Sequence, residues 1–172
     1  MNKPEIGILI VDDEFSVRDS LSRWFKEDGY RVATAENATE ALKKMQEQSW
    51  DIALVDIKMP GISGLELQRR LKEIDKNIVV IIITAYASVE SAVQALKEGA
   101  FDYVTKPVDP DDLSHLIRNA IKQRTLAAEN VLLRTKIEEL SKIDEIVGES
   151  PQMKKVMELV KALDEYIPQP VR

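Results

Sequence analysis

Asp12, Asp13, Asp56, Thr84 and Lys106 each stand at or just past the end of a short apolar run of the kind that forms a buried strand. Carboxylates, a hydroxyl and an ammonium at such ends make little sense as packing. They make good sense where a divalent cation meets a phosphoryl group. Asp12 and Asp13 at one strand end and Asp56 at a neighbouring one would repel each other unscreened. A hard cation with oxygen ligands relieves that repulsion. Mg2+ suits the set, because it keeps several waters and binds through one or two carboxylates plus a phosphate oxygen; Mn2+ is an acceptable substitute. An Asp beside such a cation can also be a nucleophile that forms an aspartyl phosphate. Asp56, at the end of a central strand, is best placed for that role. Lys106 supplies a point charge for one phosphoryl oxygen and Thr84 a hydroxyl for another. Taken singly, each residue has a plainer reading: the Asp pair as caps of the first helix, Thr84 as a strand end, Lys106 as a solvated loop lysine. Their joint occurrence favours the pocket. A cis bond at Lys106-Pro107 would aim the lysine into it, and cis bonds are mainly a proline phenomenon.

The elements that must position these residues alternate along the chain. Ile6–Val11 is a near-continuous apolar run followed by the Asp pair. Ser16-Val17-Arg18-Asp19 reads as a capping box opening a helix that carries Val17, Leu21, Trp24 and Phe25 and stops at Gly29. Tyr30–Ala35 reads as a second strand, and Asn37 as the cap of a helix with Ala38, Ala41, Leu42 and Met45. Ile52–Val55 ends at Asp56; Met59-Pro60-Gly61 and Gly64 mark a loop; Leu67, Leu71 and Ile74 share one face of a third helix. Ile78–Ile83, the most apolar run, ends at Thr84 and suggests burial on both faces, as in a parallel sheet. Ser88 caps a fourth helix with Val89, Ala92, Val93 and Leu96, stopped by Gly99. Phe101–Val104 is a short fifth strand, and Asp109-Pro110 is an N-cap with Pro at the first helical position. Five β/α units with short connections predict a doubly wound α/β domain whose ligands bind beyond the carboxyl ends of the strands.

The helix that opens at Pro110 meets no Gly or Pro until Gly148. Leu126, Leu133 and Leu140 recur every seven residues, with Gln123, Asn130 and Ile137 at the other seam position. Leu at d with an Asn at a favours a parallel two-stranded coil, and the Asn sets register at a cost in stability. An ordinary amphipathic helix folded back on its own domain is the alternative. Ser150-Pro151 then starts a short segment whose stripe is Met153, Val156, Leu159, Val160 and Leu163. One such helix forms no core alone and must pack on a partner chain or another domain.

Composition narrows the class. The chain of 172 residues is 44% hydrophobic and 31% charged, enough for one core domain plus an appendage, and wholesale disorder is not expected. A net charge of -6 without a basic patch argues against direct nucleic-acid binding. There is no Cys, which excludes disulfides and thiolate metal sites. No stretch approaches a membrane helix or a signal peptide, so a cytoplasmic protein is expected.

VDDE at 11–14, DIKMPGISG at 56–64, TAYAS at 84–88 and YVTKP at 103–107 resemble the receiver domain of two-component response regulators over about residues 5–122. The resemblance implies a flavodoxin-like (βα)5 fold with strand order 2-1-3-4-5. It implies that Asp56 accepts a phosphoryl group from a histidine kinase. Asp13, Asp56 and the Lys58 main-chain carbonyl would hold Mg2+, with Asp12 acting mainly through water. Thr84 and Lys106 would contact the phosphoryl group, and Tyr103 matches the family's aromatic switch, which turns inward as Thr84 moves toward the phosphate. Lys58 and Tyr86, two residues past Asp56 and Thr84, stand where receivers control water access; both are large, which predicts slow loss of phosphate.

A receiver, a heptad helix and then IVGESPQMKKVMELVKAL resembles the NtrC-like activators of sigma-54 RNA polymerase. This divides the chain into a receiver (1–122), a coiled-coil linker (123–145) and an opening fragment of an AAA+ domain or tail (146–172). No GxxxxGK[ST] phosphate loop is present, so the chain is expected to stop short of the ATPase, and to reach sigma-54 polymerase and DNA only through domains it lacks. The expected output is a change in how two receivers pair, through the fourth and fifth helices and the linker coil. Two other classes compete. A Mg-dependent phosphatase or phosphotransferase would need a second acid/base near Asp56, and the lone His115 lies in the long helix. A phosphate-independent dimerisation module would have a degenerate pocket, whereas every pocket residue is present here.

Overall fold

A computed structural model describes residues 5–147 and 158–163, with backbone only over 143–147. The chain divides into two compact units, one ending at Ile121 and one beginning at Lys122. In the first, the elements run β1 (Gly7–Val11), α1 (Phe15–Glu27), β2 (Arg31–Ala35), α2 (Ala38–Glu47), β3 (Ile52–Val55), α3 (Gly64–Ile74), β4 (Val79–Thr84), α4 (Val89–Lys97) and β5 (Asp102–Thr105), followed by the start of α5 (Pro110–Val147). The five strands form one parallel sheet in the order β2-β1-β3-β4-β5. This is the flavodoxin-like arrangement that the motifs implied.

The uniform apolar runs are explained by burial on both sheet faces. Leu9, Val11, Ala53, Val55, Val80 and Ile82 face one core, with Ala38, Ala41 and Met45 of α2, Leu67 and Leu71 of α3 and Ala95 of α4. Ile8, Ile10, Ile52, Leu54, Ile81 and Ile83 face the other, with Leu21 and Phe25 of α1 and Leu113 and Ile117 of α5. Alternation within each strand divides the residues between the two cores. Asn37 and Ser88 cap α2 and α4 by accepting from the Glu40 and Ser91 amides, and Asp109 accepts from the Asp111 amide at the start of α5.

One expectation fails locally, and two helices bury only part of their apolar stripes. The first helix begins at Phe15 with Glu14 as N-cap, not at a Ser16 capping box, and no side chain caps it. Asp12 instead accepts from the Glu14 amide at 2.9 Å, so the acidic turn itself organises the chain entry. Ile74 is the last residue of α3 and is 51% exposed, beyond the reach of the core that holds Leu67 and Leu71. On α4, only Ala95 is fully buried, while Val89, Val93 and Leu96 face outward. The Lys106-Pro107 bond is cis.

In the second unit α5 continues as helix, and Glu158–Leu163 is also helical. Leu126, Leu133 and Leu140 are each at least half exposed on this chain, whereas Ile137 is half-buried and borders a small cavity with Val160 and Leu163. Asn130 accepts from Arg134 Nε, one turn on along the same helix, at 3.1 Å. The Ser150-Pro151 start, Met153 and Val156 lie outside the described residues. No described helix is long and apolar enough to cross a membrane.

Candidate functional site

The sheet brings the strand ends together by ordinary ladder geometry. The Asp12 amide bonds to the Ala35 carbonyl at 3.1 Å and the Asp56 amide to the Val11 carbonyl at 2.9 Å, so Asp12 and Asp56 extend β1 and β3 in register. The Lys106 amide bonds to the Thr84 carbonyl at 2.9 Å, which ties the end of β5 to the end of β4. Carboxylate oxygens of Asp12, Asp13 and Asp56 all lie within 4.8 Å of one another. Asp12 and Asp56 are buried and Asp13 is exposed, so the cluster opens to solvent on the Asp13 side.

Lys106 answers this charge. Its Nζ lies 2.7 Å from Asp12 Oδ2, 3.3 Å from Asp56 Oδ2 and 3.6 Å from Glu14 Oε1. The ammonium is shared, and the nearer partner is Asp12. Asp56 Oδ1 is buried with no hydrogen-bond partner. Burial, and then Asp12 across the pocket, push the Asp56 carboxyl above the usual range; Lys106 and the Thr84 hydroxyl oppose the shift without cancelling it. Burial alone would lower the Lys106 ammonium, but its hydrogen bond and charge interaction with Asp12, helped by Asp56, raise it. A buried, unpartnered carboxylate oxygen beside two further carboxylates is the donor set a small hard cation takes, so the residues fit Mg2+.

The remaining predicted residues make the following contacts. Thr84 is fully buried at the end of β4, and its hydroxyl accepts from the Tyr86 amide at 3.2 Å. The Lys58 ammonium sits 3.8 Å from the centre of the Tyr86 ring, so the two large flanking side chains meet each other. The Tyr103 hydroxyl shares a hydrogen bond with Ser91 Oγ of α4 at 2.8 Å. Asn130, Leu126, Leu133, Ile137 and Leu140 belong to the second unit. His115 is exposed, with Nδ1 3.2 Å from Arg118 on its own helix.

Two contributors were missed in the sequence. Glu14 lends Lys106 a third carboxylate; its place directly after the Asp pair was the available signal. Gly64 packs so tightly under the site that a Cβ there would overlap the Asp56 carbonyl. Its amide donates to the Ile57 carbonyl at 2.8 Å, closing the loop that carries Lys58. Only glycine permits this approach.

The family described as "Response regulator receiver domain" matches residues 8–118. Among curated proteins, the transcriptional regulatory protein ZraR of Klebsiella oxytoca is 37% identical over 157 residues, covering 91% of this chain and 34% of that protein. Among solved structures, the beryllofluoride-activated NtrC4 receiver domain dimer matches with a TM-score of 0.66 and 36% identity, over 69% of this chain and 98% of that one. The response regulator TrrA of Thermotoga maritima, solved in complex with Mg(2+)-BeF, matches with a TM-score of 0.61 and 37% identity, over 67% of this chain and 98% of that one. This chain spans about a third of the length of the curated relatives it matches.

Proposed function

Because the chain belongs to the response regulator receiver domain family, we propose that Asp56 is its phosphoryl acceptor and that the phosphorylated state changes how two copies pair. The observation that carries this reading is the buried, unpartnered Oδ1 of Asp56, held beside Asp12, Asp13 and a shared Lys106. The donor is a phosphohistidine of a histidine kinase. An Asp56 carboxylate oxygen forms the new P–O bond as the P–N bond breaks, and the electron pair stays on the imidazole nitrogen. Asp13, Asp56 and the Lys58 main-chain carbonyl would hold Mg2+, with Asp12 acting through water. When bound, Mg2+ neutralises charge on the phosphoryl oxygens. Lys106 turns from Asp12 toward a phosphoryl oxygen, and the Thr84 hydroxyl donates to another. Movement of Thr84 frees space that Tyr103 takes up. The group ends on the protein itself, so the chain is a signalling switch and not a turnover enzyme.

The division into a receiver over 1–122, a linker over 123–145 and an AAA+ opening fragment over 146–172 belongs to this reading. Support for pairing comes from the outward Val89, Val93 and Leu96 on α4 and from the exposed leucines of α5. The solved relative that is a receiver dimer points the same way. Leu126, Leu133 and Leu140 with Asn130 and Ile137 form the linker seam. The controlled output is the sigma-54 activator ATPase that the NtrC-like resemblance implies. Beryllofluoride plus Mg2+, followed by solution mass, tests the switch: a shift in mass or shape is expected, and an Asp56→Asn variant that responded equally would refute it.

A further inference from the structure

The attachment of α4 to the rest of the receiver unit is asymmetric. Its last turn is fixed in three ways. The Gly99 amide donates to the Leu96 carbonyl and the Ala100 amide to the Ala95 carbonyl, with Gly99 at a φ of 99°, which is a Schellman closure. Gln68 of α3, fully buried, donates from Nε2 to the same Ala95 carbonyl at 3.0 Å. Arg69, next along α3, reaches Glu98 at 2.6 Å. Ala95 is also the one fully buried residue of the helix.

The first turn is held differently. Ser88 caps the helix from within, and Val89 is 82% exposed. The described hydrogen bond from this turn to the sheet is the Ser91–Tyr103 hydroxyl pair, at 2.8 Å. Ser91 Oγ also lies 3.2 Å from the Ser88 carbonyl, so it can keep a local bond when Tyr103 leaves. That local alternative lowers the cost of release.

Gln68 is an unusual choice for a position that is otherwise packing. Its Oε1 is buried without a partner, so the side chain costs stability that a leucine of similar size would not. What it supplies in return is a directional bond to one carbonyl of α4.

We propose that Gln68 and Ser91 are positioning residues that divide α4 into a fixed last turn and a releasable first turn, so that departure of Tyr103 swings the helix about Ala95. This rests on the phosphorylation switch proposed above and goes further by naming the fulcrum and the latch. The latch then sets the energy of the switch. If the activated state must break the Ser91–Tyr103 bond, deleting that bond removes part of the cost in advance. One net hydrogen bond corresponds to a gain of roughly 2- to 10-fold in apparent affinity for beryllofluoride.

The test uses the whole chain with Mg2+ and beryllofluoride. Ser91→Ala and Tyr103→Phe should each tighten beryllofluoride binding by that factor. The double variant should match either single one, because both delete one bond. Ser91→Thr should restore the starting affinity. Amide hydrogen exchange should show beryllofluoride loosening the turn at 88–92 while 95–98 stays protected. In Gln68→Leu, whose fold is checked by its melting temperature, protection at 95–98 should fall as well. Unchanged affinity in Ser91→Ala, additive effects in the double variant, or a uniform exchange response along α4 would overturn the lever while leaving the switch standing. Absence of any beryllofluoride response in the unsubstituted chain would overturn both.

Discussion

Replacing Asp56 with asparagine is expected to stabilise the metal-free protein at neutral pH. In the folded chain this carboxylate is buried, its Oδ1 has no partner, and the Lys106 ammonium stands closer to Asp12 than to Asp56. A buried polar atom left unsatisfied costs about 1–3 kcal/mol. Asparagine keeps the shape and an oxygen for Lys106, removes the charge, and replaces the unsatisfied acceptor by an amide donor facing the Asp12 and Asp13 carboxylates, so a gain of about 1–2 kcal/mol is expected within that range. The sign follows from the raised Asp56 pKa. The folded state favours the protonated acid more than the unfolded state does, so the penalty is complete above the folded pKa. As pH falls through the folded pKa the penalty shrinks, and below the ordinary carboxylate value it vanishes, closing the gap between variant and parent. Mg2+ should act in the opposite direction. Binding only the folded state at a hundred times Kd adds roughly 2.7 kcal/mol to the parent, and less to a variant missing a ligand. Urea unfolding followed by Trp24 and Trp50 fluorescence, in EDTA and in Mg2+ across pH, measures all three terms. An Asp56→Asn protein less stable than its parent in EDTA, or a gap that ignored pH, would refute the view of Asp56 as an incompletely compensated buried charge.

Gly64→Ala should cost about 1–3 kcal/mol, because its Cβ must push the Asp56 backbone aside, and labelling by acetyl phosphate should slow in parallel. A variant with unchanged melting and labelling would contradict the close approach. Replacing Lys58 and Tyr86 together with alanine removes the stacked pair at 3.8 Å and should shorten the phosphate lifetime several-fold; an unchanged decay rate would remove their assigned role in excluding water. Leu133→Asp places a charge on an exposed apolar seam position, so sedimentation should shift from dimer to monomer with little change in the melting of the receiver. A parent chain that already sedimented as a monomer at micromolar concentration would dismiss the linker coil.

The fold was legible because both sheet faces are covered. Double burial turns β1, β3 and β4 into uniform apolar runs that no other local structure explains. The caps Asn37, Ser88 and Asp109 were legible because a side chain and an amide two or three residues on settle the matter locally. Two features were not legible. Ser16 matched a capping pattern, but the acidic turn at Asp12 had already fixed the chain, placing the N-cap at Glu14, two residues earlier. The apolar residues of α4 matched a helical stripe, but whether a stripe faces a core or a partner depends on what lies opposite, which spacing does not encode.

The pocket divides in the same way. Its five principal residues could be found because each marks a strand end, and parallel order brings strand ends together. The pairings among them could not be found. Nothing in the sequence says that Lys106 prefers Asp12 over Asp56, that Glu14 joins, or that Lys58 stacks on Tyr86. Those pairings bear on the order of events. Without a metal, three carboxylates, those of Asp12, Glu14 and Asp56, surround one ammonium, and Asp13 adds a fourth negative charge beside Asp12 and Asp56. An incoming phosphoryl group would therefore meet net negative charge, and the lysine that should receive it is engaged by Asp12. A divalent cation lifts both obstacles, since it offsets the carboxylates and weakens the hold of Asp12 on Lys106. Cation binding is then predicted to precede phosphorylation. Labelling by acetyl phosphate should vanish in EDTA and return with Mg2+ or Mn2+. In Lys106→Met, Mg2+ binding should survive while the conformational response is lost. If labelling proceeded at full rate in EDTA, the acidic cluster would have no part in gating the acceptor.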